Sequence, residues 1–203
     1  MCNIMPQMTE ENNTKLATAP AETKTSAFWD LVKYTIIALL IVIPFRMFVA
    51  QPYIVSGASS YPTFKDGDYL IVDQLSKRFE EPKRQDFLII RYPKDQSKFF
   101  IKRLIGLPGD QVEIIDGEIT IYNEANKDGL RLEEPYVEYK KIEDFSIKLG
   151  ADQYFVMGDN RAGSSDSRVW GTLPKKNIIG RPIVRLLPLN KIDLWPGVLK
   201  SNE

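Results

Sequence analysis

The chain has 203 residues, of which 43% are hydrophobic, and 27 lysines and arginines balance 27 aspartates and glutamates. This length and hydrophobic content suffice for one ordinary domain with appendages, and the zero net charge gives no electrostatic reason to expect a nucleic acid as a partner. With no histidine and a single cysteine, the chain has no Cys-His dyad, no zinc cluster of Cys and His and no intramolecular disulfide.

Residues 1–27 form a polar tail without a periodic apolar pattern and are predicted to be disordered. Cys2 lies in this tail and is assigned no role. The next segment, residues 28–52, is the expected transmembrane anchor. Its apolar run, Tyr34 to Ala50, has 17 residues interrupted only by Arg46, and spanning helices need about 17–25, so the arginine must extend to one interface.

Two other interpretations of this segment are open. A cleaved secretory signal requires a small-residue exit, and Pro44-Phe45-Arg46-Met47 is a poor one. A buried core helix would show a polar face, which this run lacks. Lys24 and Lys33 precede the run, so the positive-inside rule predicts a cytoplasmic N-terminus and an exported remainder.

Residues 53–203 are predicted to form a mainly β domain, an antiparallel, barrel-like sheet that follows the single N-terminal helix. Short runs rich in Val, Ile, Phe and Tyr alternate with Gly, Pro and Asp, as in antiparallel β proteins. Asp116-Gly117 between two alternating runs is the strongest hairpin signal. Residues 123–149 are mixed and polar, which predicts an excursion from the sheet. The predicted strands are 69–72, 87–92, 99–105, 112–115, 118–122, 154–157 and 178–187.

Ser59 lies in a Gly/Ser/Pro loop, residues 57–63, nine residues after the apolar run ends. A nucleophile there would work close to a bilayer surface. Because the chain has no imidazole, a serine nucleophile needs another general base, and the Ser-Lys dyad is the established alternative. A plain turn is the other interpretation of this loop.

Lys102 falls inside an apolar strand pattern, where Phe100, Lys102 and Leu104 share one face. A lysine that acts as a base must be neutral, so desolvation has to lower its pKa from about 10.4 to about 7–8, at a cost of about 4 kcal/mol. Apolar neighbours provide such desolvation. The alternative is that Lys102 and Arg103 are ordinary cations on the strand surface.

A third segment, residues 158–171, runs Gly-Asp-Asn-Arg-Ala-Gly-Ser-Ser-Asp-Ser-Arg-Val-Trp-Gly. It concentrates charges, small residues and hydroxyls, and is too polar for a core. Asx turns and a surface salt bridge between Asp166 and Arg168 would also account for its composition without any catalysis.

In their order along the chain, these three segments resemble the type I signal peptidase family from about Phe28 to Leu189. The resemblance implies a membrane-anchored serine endopeptidase that removes signal peptides at the outer face of a bacterial-type plasma membrane, which it crosses once. The implied partners are membrane lipid and exported preproteins with small residues at the first and third positions before the cut. No cofactor and no metal are implied, although carboxylates alone could still hold a metal.

The resemblance also implies roles for individual residues. Ser59 matches the nucleophile and Lys102 the general base. Ser164 matches the hydroxyl that orients the lysine. Two structural ion pairs of the family match Asp166 with Arg168 and Arg103 with Asp159, and the family also has an oxyanion hole. The backbone N–H of Ser59 would form part of that hole. Some branches add a serine side chain where this chain has Gly57, so the second donor here must come from backbone, with the N–H of Gly57 as the candidate, or from elsewhere.

Ser60 is the clearest departure from the family pattern, because methionine is usual directly after the nucleophile. A smaller polar residue there is expected to widen or hydrate a pocket, and it leaves Ser56, Ser59 and Ser60 as neighbouring hydroxyls. The spacing to Pro62-Thr63 favours Ser59. Gln85 for glycine and Ala162-Gly163 for Asp-Asn are milder departures.

Two other functions stay open at this point. One is a catalytically silent relative that binds exported peptides or a membrane partner. The other is a soluble, self-cleaving Ser-Lys protease of the repressor type, which the apolar segment and the lack of a DNA-binding helical module argue against.

Overall fold

The structure is a computed structural model that describes residues 24–48 and 50–198. The chain divides into two compact units, residues 1–41 and 42–203. Of the predicted disordered tail, residues 1–23 lie outside the described residues, whereas 24–27 already belong to helix α1 (Lys24–Phe48). From Ile36 to Ile43 every side chain of α1 is apolar and exposed. Within the ranges that the structure describes, no helix has the length and apolarity required to cross a membrane.

Strands are the main regular elements among the described residues of the second unit, and every strand pairing there is antiparallel. The described residues form β1 (Ala50–Ile54), β2 (Tyr69–Asp73), β3 (Phe87–Tyr92), β4 (Asp95–Gly106), β5 (Gln111–Ile115), β6 (Glu118–Tyr122), β7 (Leu130–Arg131), β8 (Phe145–Lys148), β9 (Gln153–Met157), β10 (Leu173–Pro174), β11 (Ile178–Leu187) and β12 (Asp193–Leu194). A second helix, α2, spans Ser167–Trp170, and 3₁₀ turns lie at Ser76–Arg78, Lys175–Asn177 and Leu189–Lys191. The prediction of a mainly β, antiparallel protein is confirmed.

The larger sheet has the strand order β1-β2-β11-β3-β4-β9-β10, and β12 pairs with β11. Strand β1 begins at Ala50, so residues 50–52, which were assigned to the anchor, pair with β2 instead. Each predicted strand is present, and β3, β6 and β11 have the predicted bounds. The short strands β1, β7, β8, β10 and β12 were not predicted.

The smaller sheet has the order β7-β6-β5-β8 and is built around the predicted hairpin. Asp116 and Gly117 connect β5 to β6 with φ angles of 52° and 80°, the left-handed values that a two-residue turn of this kind requires. Residues 123–149, expected to be an excursion, supply β7 and β8 to this second sheet. Residues 123–149 therefore leave the larger sheet, but part of them forms strands of the smaller sheet.

Strand β4 is covered on both faces over its C-terminal half. Ile101 packs in one cluster with Phe87 and Ile89, whereas Leu104 packs in another with Leu88. Residues 101–106 are all buried. Any polar side chain in this stretch is therefore removed from water and must find partners inside the protein.

Candidate active site

Lys102 is held in the buried half of β4, opposite Leu88 of β3. Its exposed fraction is 2%. Phe100 and Leu104, its neighbours on the same strand face, pack in the cluster that contains Leu88. Lys102 therefore faces inward, and the alternative that the sequence had left open, a cation on the strand surface, is wrong.

Burial lowers the pKa of Lys102 from its ordinary value of 10.5 to about 8. Among the nearby charges, the carboxylate of Asp166 raises this pKa, the guanidinium of Arg168 lowers it and the carboxylate of Asp159 raises it. Desolvation is the largest influence because it penalises the charged ammonium. Near neutral pH a substantial fraction of Lys102 is therefore neutral and able to accept a proton.

Ser164 is the hydrogen-bond partner of the Lys102 side chain. The Nζ of Lys102 donates a hydrogen bond to Ser164 Oγ over 3.0 Å. Ser164 also interacts with the carboxylate of Asp166, and this contact contributes to lowering the pKa of that carboxyl. The hydroxyl of Ser164 therefore lies between Lys102 and Asp166 in the chain of polar contacts.

Ser59 lies against the same loop as Ser164. Its carbonyl oxygen accepts a hydrogen bond from the N–H of Asn160 over 3.1 Å. A Cβ placed on Gly158 would lie 2.2 Å from Ser59 O and 2.3 Å from Ser164 Oγ. Because both oxygens lie so near this one point, they are at most about 4.5 Å apart. Only glycine leaves room for this approach. Within the described residues no hydrogen bond joins Ser59 Oγ to Lys102 Nζ, which donates to Ser164 Oγ instead.

Ser59 also lines a cleft of about 100 Å³. The cleft walls are mostly apolar and come from β1, the serine loop, β2, β3 and β4. The lining residues are Tyr53, Ile54, Val55, Ser56, Ser59, Leu70, Ile89, Phe99, Phe100 and Ile101.

Ser60 points away from this cleft. Its exposed fraction is 1%, and its hydroxyl donates to the carbonyl oxygen of Ile101 over 2.9 Å. Ser60 is not one of the residues that line the cleft, and the expectation that a residue smaller than methionine widens or hydrates the pocket stays a prediction. The side chain instead joins the serine loop to β4, one residue before Lys102.

The backbone donors near Ser59 are not equivalent. The N–H of Gly57 donates to Asp66 Oδ1 over 2.8 Å, with φ at 92°. The N–H of Ser59 has no hydrogen-bond partner within the part of the chain that the structure describes. Of the two expected oxyanion donors, only Ser59 is free in this arrangement.

Arg103 and Asp159 form a fully buried ion pair, with exposed fractions of 1% and 0%. The Nε and Nη2 atoms of Arg103 donate to the two carboxylate oxygens, each over 2.8 Å. The guanidinium lies between the rings of Phe87 and Tyr136, at 4.2 Å and 3.6 Å from their centroids. Thr63 Oγ1 donates to Asp159 over 2.5 Å, which ties the pair to the serine loop.

Asp166 and Arg168 form the second expected pair. Arg168 Nε and Nη2 donate to the two oxygens of Asp166, each over 2.8 Å. Asp166 also caps helix α2 and accepts from the N–H of Gly158 over 3.1 Å. Burial by itself raises the pKa of Asp166, but the hydrogen bonds from Arg168, Ser164 and Gly158 hold it below its usual value. The carboxylate therefore stays ionised beside the lysine.

Three charged residues that contact this site were not predicted from the sequence. Glu134 binds Arg161 in two places, and Glu143 binds Arg168. Nothing in the local sequence distinguishes these two glutamates from the exposed acids around them. Arg161 stood in the segment already singled out, without an assigned role.

Fold and site together define a mainly β protein without histidine, in which a serine at a cleft lies close to a buried, partly neutral lysine. The family model described as "Signal peptidase, peptidase S26" matches residues 28–187. The chain belongs to this family, and it is a serine endopeptidase of the signal peptidase I type.

Relatives agree with this assignment. The chain is 36% identical over 198 residues to signal peptidase I T of Bacillus subtilis, an alignment that covers 91% of this chain and 98% of the relative. It is 35% identical over 181 residues to a signal peptidase I of Leptolyngbya laminosa, with 84% and 86% covered. A crystal structure of a signal peptidase I from Enterococcus faecalis aligns with a TM-score of 0.44 and 29% identity, covering 50% of this chain and 97% of that one.

Proposed function

We propose that this protein removes signal peptides from exported preproteins, with Ser59 as the nucleophile and neutral Lys102 as the general base. The observation that carries the proposal is the buried lysine: its pKa is lowered to about 8 and it donates to Ser164, whose oxygen lies near Ser59 across Gly158. Membership of the signal peptidase family supports the substrate class.

In the proposed reaction, Ser59 Oγ attacks the scissile carbonyl carbon while neutral Lys102 Nζ accepts the hydroxyl proton. The resulting ammonium gives that proton to the leaving amine as the C–N bond breaks, which leaves an acyl ester on Ser59. Water then attacks the ester, with Lys102 again taking a proton and returning it to Ser59 Oγ. Ser164 holds the lysine through both halves of the cycle.

The developing oxyanion needs donors that are aimed at it before the reaction begins. The unpartnered N–H of Ser59 is one such donor. The N–H of Gly57 is engaged by Asp66, so Gly57 can serve as the second donor only if that hydrogen bond opens.

The cleft beside Ser59 favours small side chains next to the cut. Its volume is about 100 Å³, and Phe99, Phe100 and Ile101 contribute to its walls. Small, mostly apolar pockets of this kind accept alanine-sized groups and exclude larger ones by overlap. This supports preproteins with small residues at the first and third positions before the cut.

We also propose that the apolar N-terminal segment, which begins at Phe28, anchors the enzyme in a bacterial-type plasma membrane, crossing it once with the N-terminus in the cytoplasm and the catalytic domain on the outer face. No helix of the described residues meets the requirements for crossing, so this proposal rests on the apolar run of the sequence that starts at Tyr34. The exposed apolar run Ile36–Ile43 supports membrane lipid as a partner. Anchoring would raise the effective concentration of a substrate held in the same bilayer. The test is extraction of membranes at alkaline pH followed by protease treatment of spheroplasts. Release by alkali, or protection of the catalytic domain, would contradict the anchor or its orientation.

The catalytic proposal is tested by cleavage of a synthetic preprotein with an Ala-x-Ala site, using the full chain in detergent. Cleavage is expected at that site and should vanish in Ser59→Ala and Lys102→Met. Ser60→Ala is the matched control, since its hydroxyl is adjacent but faces Ile101. If the folded wild type cuts no such substrate, the chain is the catalytically silent relative instead.

A further inference from the structure

Residues 158–168, which we call the catalytic loop, are held from outside by two glutamates of the 123–149 segment. Glu134 accepts from Nη1 and Nη2 of Arg161 over 2.8 and 2.5 Å. Arg161 is 3% exposed, and its Nε donates to the carbonyl oxygen of Gly158 over 3.1 Å. Glu134 therefore orients an arginine that binds the start of the loop.

Glu143 acts on the other end of the catalytic loop. Its carboxylate pairs with Arg168 Nη1, while Nη2 of the same arginine donates to the carbonyl oxygen of Arg161 over 2.8 Å and to Asp166. Arg168 thus joins Glu143 to the backbone and to the carboxylate of Asp166, which interacts with Ser164. Its guanidinium fork has a fixed geometry, so moving one partner disturbs the others.

The smaller sheet holds Glu143 in place. The N–H of Gly117 donates to the carbonyl oxygen of Glu143 over 3.2 Å, and the N–H of Asp116 donates to Asp144 Oδ1 over 3.0 Å. A Cβ on Gly117 would lie 2.5 Å from the carbonyl oxygen of Lys141. The turn of the β5–β6 hairpin is therefore packed against the chain that carries Glu143.

The position of the catalytic loop matters because of Gly158. Its Cα lies so close to Ser59 O and Ser164 Oγ that no side chain fits between them. A shift of this residue displaces both the backbone of the nucleophile and the partner of Lys102. Misplacement by about 1 Å can slow a reaction by about a hundredfold.

We propose that Glu134 and Glu143 are positioning residues for the reaction: through Arg161 and Arg168 they hold the catalytic loop where Ser164 meets Lys102. This rests on the proposed function. Neither glutamate touches the cleft, so they act on the rate of the chemical step and leave substrate binding unchanged.

The test compares Glu134→Gln and Glu143→Gln with the wild type in the preprotein assay, with rates expressed per active site titrated. Each variant keeps the side-chain shape but turns one acceptor oxygen into a donor that faces an arginine. We expect kcat to fall about tenfold or more and KM to stay within about twofold. Glu138→Gln is the matched control, because Glu138 is exposed and forms no ion pair among the described residues, and it should behave as wild type.

A double-mutant cycle separates positioning from a purely structural role. Glu143→Gln is combined with Ser164→Ala, and rates are followed with enzyme in excess over hours. If Glu143 acts through Ser164, its substitution should change the rate less than about twofold in the Ser164→Ala background. If the two substitutions instead lower the rate by factors that multiply, Glu143 acts independently of Ser164 and the proposal is refuted.

The remaining outcomes distinguish this proposal from the proposed function. If both glutamate variants cut as fast as Glu138→Gln while Ser59→Ala is inactive, the positioning role is refuted and the peptidase function stands. If the folded wild type cuts nothing, both are refuted. Because Glu143 is only half-buried, its variant tests the idea even if Glu134→Gln does not fold.

Discussion

The rate of cleavage is expected to rise with pH as Lys102 loses its proton. Burial lowers the pKa of this lysine to about 8, and the opposing effects of Asp166 and Arg168 are smaller. At pH 7 a base with a pKa of about 8 is neutral in roughly one molecule in ten, whereas an unshifted lysine would be neutral in about one in three thousand. Burial therefore makes the base about 300-fold more available at neutral pH.

The assay is kcat/KM for an Ala-x-Ala peptide and the full chain in detergent, from about pH 6 to about pH 10. This parameter reports the pKa of the free enzyme, so it should rise about tenfold per pH unit below pH 7 and level off above about pH 9. A rising limb centred above pH 10, or a profile without pH dependence, would refute the assignment of Lys102 as a desolvated base.

The same titration should appear in the free energy of unfolding. Because the pKa of Lys102 is lower in the folded than in the unfolded chain, the folded state binds fewer protons between about pH 8 and pH 10.5, and stability rises with pH across that window. A pKa shift from 10.5 to about 8 makes the folded state about 3 kcal/mol more stable above pH 10.5 than at pH 7, where this gain is absent. Urea unfolding of wild type and Lys102→Met at pH 7 and pH 10.5 measures it. Equal pH dependence in both proteins would contradict the burial of a titrating lysine.

Three substitutions test the packing around the site. Gly158→Ala should lower cleavage about a hundredfold or more in a folded protein, because the new Cβ overlaps Ser59 O and Ser164 Oγ; full activity would show that the loop can move freely. Ser60→Ala leaves a buried carbonyl without its donor and should cost about 1–3 kcal/mol in urea unfolding, with cleavage retained. Arg103→Met leaves the buried carboxylate of Asp159 without its ion-pair partner and should lower the free energy of unfolding by about 3–5 kcal/mol. A loss below about 1 kcal/mol would argue against a stabilising Arg103–Asp159 pair.

The elements that the sequence predicted are those whose signals are local. Alternation of apolar residues and the Asp116-Gly117 turn predicted the β5–β6 hairpin, and a dense run of β-branched residues predicted β11 with its bounds. Strands β7 and β8 were not predicted, because two to four residues carry too little pattern. Their pairing depends on the strands of the hairpin already being in place.

The functional site shows the same contrast between features that local sequence predicts and features that depend on distant segments. Motif order pointed to Ser59, Lys102 and Ser164, but the local sequence left open whether the lysine faces water and which of two adjacent serines faces the cleft. Lys102 is buried because β4 is covered on both faces, and Ser60 is turned inward because the carbonyl of Ile101 accepts its proton. Neither fact is visible in the residues on either side.

By itself the sequence determined the strand pattern, the absence of imidazole chemistry and the three segments that carry the proposed reacting groups. Only the tertiary structure decided the desolvation of Lys102, the approach of Ser59 and Ser164 across Gly158, and the attachment of Glu134 and Glu143 to the catalytic loop. The reason is physical: a strand period or a turn depends on neighbours along the chain, whereas burial and buried ion pairs depend on segments that only folding brings together.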